Sequence, residues 1–151
     1  MPSEGDPTDP RGRLVTRHLR FGWWTLLAFT VLGLGLESAH GLKLGWYLRP
    51  ASEARRLVLT LAHAHGTILA LVNISFAQYL RAHDSIELRF VPTASWTLLA
   101  GTVLLPLGFF VGGFVVHGSD PSIGAWLIPP GAILLILALY FIARSVGPSS
   151  R

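Results

Sequence analysis

The chain has 151 residues, of which 51% are hydrophobic and only 13% charged, and its mean hydropathy is +0.52. That is too apolar for an ordinary soluble domain of this size and points to one compact all-α membrane domain. A formal charge of +4 with a pI near 10.3 does not indicate nucleic acid, because the arginines flank apolar segments and form no patch interleaved with aromatics. The lack of cysteine excludes disulfides, thiolate metal sites and iron–sulfur ligation.

Residues 1–20 carry three prolines, two glycines and mixed charge, a composition that disfavours packing and predicts a flexible basic N-terminal segment. A secretory signal peptide is not expected, since the apolar run starts late and acidic residues precede it. The predicted transmembrane domain covers residues 21–144. Its first span is 21–40, with Trp23 and Trp24 as interface anchors and no charge for 16 residues before Glu37. An aromatic loop containing Trp46, Tyr47 and Pro50 leads to the second span, 57–80, which holds no Asp, Glu, Lys or Arg in 24 residues yet carries His63 and His65. A polar loop with His83, Asp84 and Glu87 follows. The third span, about 95–117, contains Pro106 and a small-residue face at Gly108, Gly112 and Gly113, which would let another helix approach closely. After a turn at Asp120, Pro121 and Ser122 the fourth span runs over about 123–143, kinked by Pro129 and Pro130 or regular only after them. Residues 145–151 read as a disordered tail. Four spans with short connections make an up-down four-transmembrane-helix bundle in the lipid bilayer.

Lys and Arg beside the spans set the orientation. With both termini cytoplasmic, in a bacterial inner membrane, the inner side holds eight basic residues and the outer side the four at Lys43, Arg49, Arg55 and Arg56. Glu37, His40, His63, His65 and His117 then fall in the outer half, while His18 and His83 are expected as solvated flank residues on the other side. A histidine at hydrocarbon depth is costly unless paired. Residues two apart on a helix differ by about 200°, so His63 and His65 point to opposite sides and serve two different neighbours. Gly66, Ala62 and Ala64 frame them with little bulk, which suits a flat macrocycle better than a bare ion. Glu37 and His40 at i and i+3 echo the Glu-x-x-His pattern of di-iron bundles, but the second copy and the additional glutamates are missing. With His117, these two are candidates for orienting a ligand imidazole or a haem propionate. Asn73 and Gln78 stand at depths where they can hydrogen-bond across helices.

The run Ala62-His63-Ala64-His65-Gly66-Thr67 resembles the tenth helix of the catalytic subunit of haem-copper oxidases and nitric oxide reductases, where a His-x-His pair ligates two haems on opposite sides of one helix. The resemblance covers about 20 residues of one span and implies axial haem-iron ligands at His63, for the high-spin haem, and His65, for the low-spin haem. The family has three arcs of helices and extra histidines for copper. Here there is one set of four spans and no adjacent His-His pair, so copper and oxygen reduction lack their residues. A homotrimer of this unit would reproduce the three arcs, with His63 of one protomer and His65 of the next holding one b-type haem.

Three readings follow. The first is a small haem-binding membrane protein for electron transfer or for O2 or NO binding, with a quinone or cytochrome as redox partner. Whether it catalyses a reaction stays open. The second is a cofactor-free structural or accessory membrane subunit. The third is a metal or proton transporter, for which Asn73 and Gln78 alone make a thin path.

Overall fold

The computed structural model describes residues 9–49, 53–83, 89–114 and 123–146. The expected turn at Asp120, Pro121 and Ser122, His117, the acidic residues Asp84 and Glu87, and residues 147–151 lie outside the described residues.

Four long helices, each apolar enough to cross a membrane, account for nearly all of the described chain. The protein is an all-α, multi-pass membrane protein. The first helix, α1, runs Pro10–Gly41, eleven residues longer at its start than the expected span. Its start signal is local. The Asp9 carboxylate accepts from the Arg11 and Gly12 amides at 2.9 Å each, and Pro10 occupies the first turn, where its missing N–H costs nothing. Residues 10–20 are therefore not a flexible segment but the first three turns of α1, and they bury Val15 and His18.

A four-residue helix, α2 (Gly45–Leu48), interrupts the aromatic loop and buries Tyr47. Arg55 donates to the Trp46 carbonyl at 2.9 Å, which ties this loop to the start of α3 (Glu53–Ala82). The next helix, α4 (Val91–Phe114), stays continuous through the buried Pro106. A 3-10 turn, Ile123–Leu127, precedes α5 (Ile128–Ser145). Pro129 and Pro130 sit in the first turn of α5, so the regular helix begins where the prolines allow it.

Successive helices pack antiparallel, α1 on α3, α3 on α4 and α4 on α5, whereas α1 and α5 do not touch among the described residues. The up-down bundle is thus an open row. Burial agrees: within the most apolar stretch of each helix, 33% of residues are buried in α3 and 44% in α4, but 6% in α1 and 11% in the fourth span. The apolar core lies toward the end that carries the N-terminus, where Val15, Phe76, Ala77, Leu80, Val91, Ala94, Leu98 and Ala138 bring all four helices together. Exposed Trp23, Trp24 and Trp96 ring this basic end, and exposed Trp46 and Trp126 ring the opposite one.

The α4–α5 seam is the close approach that the small residues promised. Gly108 lies against the Gly124 carbonyl and Ile128, and a Cβ on Gly124 would stand 2.5 Å from the Gly112 amide nitrogen. Gly113 turns instead to Leu59 of α3. A Cβ on Gly131 would lie 2.7 Å from the Leu105 amide nitrogen, so backbone meets backbone there and no side chain can be admitted without separating the helices.

Candidate functional site

His63 and His65 sit near the start of α3, on either side of its axis. The His63 Nδ1 lies 2.7 Å from the Phe29 carbonyl of α1, and its ring covers Gly33, where any Cβ would overlap it. The His65 Nδ1 lies 2.8 Å from the Leu61 carbonyl one turn back, and its ring stacks on Phe109 of α4 at 5.0 Å. The pair serves two different neighbours, α1 and α4, as the 200° spacing requires. Carbonyl oxygens only accept, so both Nδ1 atoms carry a hydrogen, and in the neutral ring that leaves the lone pair on Nε2. Among the described residues neither Nε2 has a hydrogen-bond partner. One turn on from His63, the Thr67 hydroxyl is buried with no hydrogen-bond partner among the described residues.

The small residues around the pair are used for packing. The open face of Gly66, expected to admit a flat ligand, takes the Phe29 ring, and a Cβ there would overlap that ring. Gly33 does for His63 what Gly66 does for Phe29. Glu37 and His40 are exposed on the last turns of α1, and neither is brought onto the histidine pair. His117 lies outside the described residues. No group of three or more His, Cys, Asp or Glu that could hold an ion occurs among the described residues.

The larger polar assembly is built around a histidine that sequence reasoning placed in solvent. His18 is not a solvated flank residue. It is fully buried, and Phe76 meets its ring edge-on at 4.9 Å. Its Nδ1 is 2.7 Å from Asn73 Oδ1 and its Nε2 is 2.7 Å from Ser95 Oγ. The direction of each bond follows from Asn73, whose amide group donates to the Leu69 carbonyl and to Thr102 Oγ1 at 2.8 Å each. Oδ1 must then accept, so His18 donates from Nδ1 and accepts at Nε2 from the Ser95 hydroxyl. Ser95 in turn accepts from Arg17, whose guanidinium lies 4.5 Å above the Trp96 ring. The result is one directed chain, Arg17 to Ser95 to His18 to Asn73 to Thr102, linking α1, α3 and α4. Asn73 hydrogen-bonds across helices as its depth suggested, whereas Gln78 is exposed. His83 is exposed as expected and donates to the Tyr79 carbonyl at 3.1 Å.

The signal for this network was present in α1. His18, Gly22, Thr25, Phe29 and Gly33 recur at intervals of four and three, which places them on one helix face. That face meets α3: His18 on Asn73, Gly22 against Ala70 and Ile74, Phe29 on Gly66, and Gly33 under His63. No family model, curated protein or solved structure matches the chain.

Proposed function

We propose that this is a haem-binding membrane protein in which His63 and His65 are axial ligands to the iron of b-type haem. The observation that carries the reading is the state of the two imidazoles. Each has Nδ1–H held by a backbone carbonyl and an Nε2 without a partner among the described residues, the arrangement by which proteins orient a ligating histidine. A bare ion needs three or four protein ligands in one place, and among the described residues no such group stands at the pair. A macrocycle brings four nitrogens and asks the protein for one or two. The donor set therefore fits haem, and it lacks the further histidines that copper would take.

Bound haem would supply one-electron redox chemistry, or a gas site for O2 or NO if one axial position is free. The residues of the chain do the positioning. Phe29 fixes the His63 ring through its carbonyl, Gly33 makes room for that ring, and Phe109 holds the His65 ring by stacking. Glu37 and His40 lie one and two turns beyond Gly33 on α1, where they would meet propionates. The open edges at α1 and α5 favour a homotrimer, in which neighbouring units share a haem. In this reading the redox partner is a quinone or a cytochrome, and the protein lies in a bacterial inner membrane with both termini cytoplasmic.

An absorption spectrum of the full chain, purified in detergent from haem-replete cells, tests the proposal. A Soret band that is lost in His63→Ala and His65→Ala, with the helical circular dichroism kept, is the expected result. The packing of Phe29 into Gly66 and of His63 onto Gly33 favours a second reading, a cofactor-free accessory subunit. A colourless wild-type protein whose histidine variants change only assembly would establish that reading and overturn the first.

A further inference from the structure

A groove of about 470 Å³ lies between α1 and α4. Its walls are apolar and partly aromatic, with Phe21 and Phe29 from α1 and Phe110 from α4. Val31, Val103 and Leu107 also line it and are exposed, so it opens sideways toward the lipid. Two hydroxyls interrupt the apolar lining, Thr25 on one wall and Thr102 on the other.

Both hydroxyls are donors without an acceptor among the described residues. Thr25 makes no hydrogen bond among the described residues, so its hydroxyl is free to turn into the groove. Thr102 is 2% exposed, and its oxygen accepts from Asn73, which leaves its own hydrogen unmatched. A donor at this depth is costly to leave unpaired, because hydrocarbon offers no substitute for water. The directed chain behind Thr102 adds to the requirement. Asn73 is anchored by His18 and Leu69, so Thr102 cannot give its hydrogen to Asn73 without turning the amide and setting Oδ1 against the Leu69 carbonyl.

A ligand for this groove needs an apolar tail that reaches it through the lipid, a flat head that packs between phenylalanines, and hydrogen-bond acceptors on opposite edges. An acyl chain supplies only the first of these. We infer that the groove binds the head of a lipid-soluble para-quinone, its two carbonyl oxygens accepting from Thr102 and Thr25. The volume suits a head group with the start of its tail. The site would seat the quinone named above as a redox partner, and it rests on that reading for what the quinone does there and not for its binding, since none of the groove-lining residues is a histidine.

Equilibrium dialysis of decylubiquinone against the full chain, in nanodiscs of quinone-free lipid, tests the inference. Saturable binding at one quinone per chain is expected, weakened about tenfold in Thr102→Val and retained in Thr102→Ser, which is the loss of about one hydrogen bond. Thr25→Val breaks no bond of the fold and should weaken binding by a similar factor, which keeps the test decisive if Thr102→Val fails to fold. The absorption spectrum of the same samples reports haem independently of the dialysis, so a failure of the haem reading is seen separately from a failure of quinone binding. Equal competition by decylbenzene would show a crevice selective only for apolar bulk. Equal competition by dioleoylglycerol would show an ester-lipid site, and either outcome overturns the inference.

Discussion

Asn73 is the residue on which most depends. One side chain accepts from His18, donates to Thr102 and donates to the Leu69 carbonyl, all inside the bundle. Single interhelical hydrogen bonds in membranes contribute about 0.6 kcal/mol on average, but removal of a hub leaves other buried groups unsatisfied, at about 1–3 kcal/mol each. Asn73→Leu matches the volume and strands both His18 Nδ1–H and the Thr102 oxygen. A destabilisation of about 2–4 kcal/mol is expected in reversible unfolding in mixed micelles, and a variant as stable as wild type would remove the network from any structural role. The sequence marked Asn73 as able to bond across helices but placed His18 in solvent, for a physical reason. A histidine beside three arginines looks like a flank residue when the helix is assumed to begin at Phe21, and only the cap at Asp9 and Pro10 carries α1 far enough for His18 to meet α3. The histidine pair was read correctly as facing two neighbours, because helical angle alone decides that. What fills the space around it was not legible: Gly66 looked like room for a ligand until Phe29, 37 positions away in the chain, took it.

At the scale of the element, the glycines fall into two classes that a sequence count cannot separate. Gly131 and Gly124 hold backbones in contact, whereas Gly35 on α1 has nothing near the position its Cβ would take. Gly131→Val should therefore separate α4 from α5 and abolish the monodisperse peak in detergent chromatography. Gly35→Ala should be neutral or raise stability by up to about 1 kcal/mol, because alanine is the better helix former. A thermal scan followed by size-exclusion chromatography distinguishes them, and equal loss in both variants would show that composition matters and not the seam. The expected face of Gly108, Gly112 and Gly113 was legible as a four-residue spacing. Its partner Gly124 was not, nor was Gly131 on the backbone of Leu105, since one lies in a 3-10 turn and the other after two prolines, where helical spacing does not carry through.

At the scale of the whole molecule, membrane character and the four-helix architecture were plain from apolar runs, which composition and length determine almost alone. Element ends were less plain, because caps and tertiary contacts decide them. The orientation proposed above rests on the basic residues. Reporter fusions after Arg49 and after Arg144 should give opposite compartments, external for the first and cytoplasmic for the second, and the same compartment for both would contradict the up-down order.

The open row has a consequence for how the chain comes to be assembled. Each long helix rests mainly on the one made just before it, so contacts can form in the order of synthesis without waiting for the C-terminus. His18 records that order. Its Nδ1 hydrogen finds Asn73 as soon as α3 docks on α1, but its Nε2 has no donor until α4 delivers Ser95. A nascent chain halted after α3 is half-satisfied at its most buried imidazole, and the arrival of α4 both completes that bond and closes the wall on which Thr102 stands.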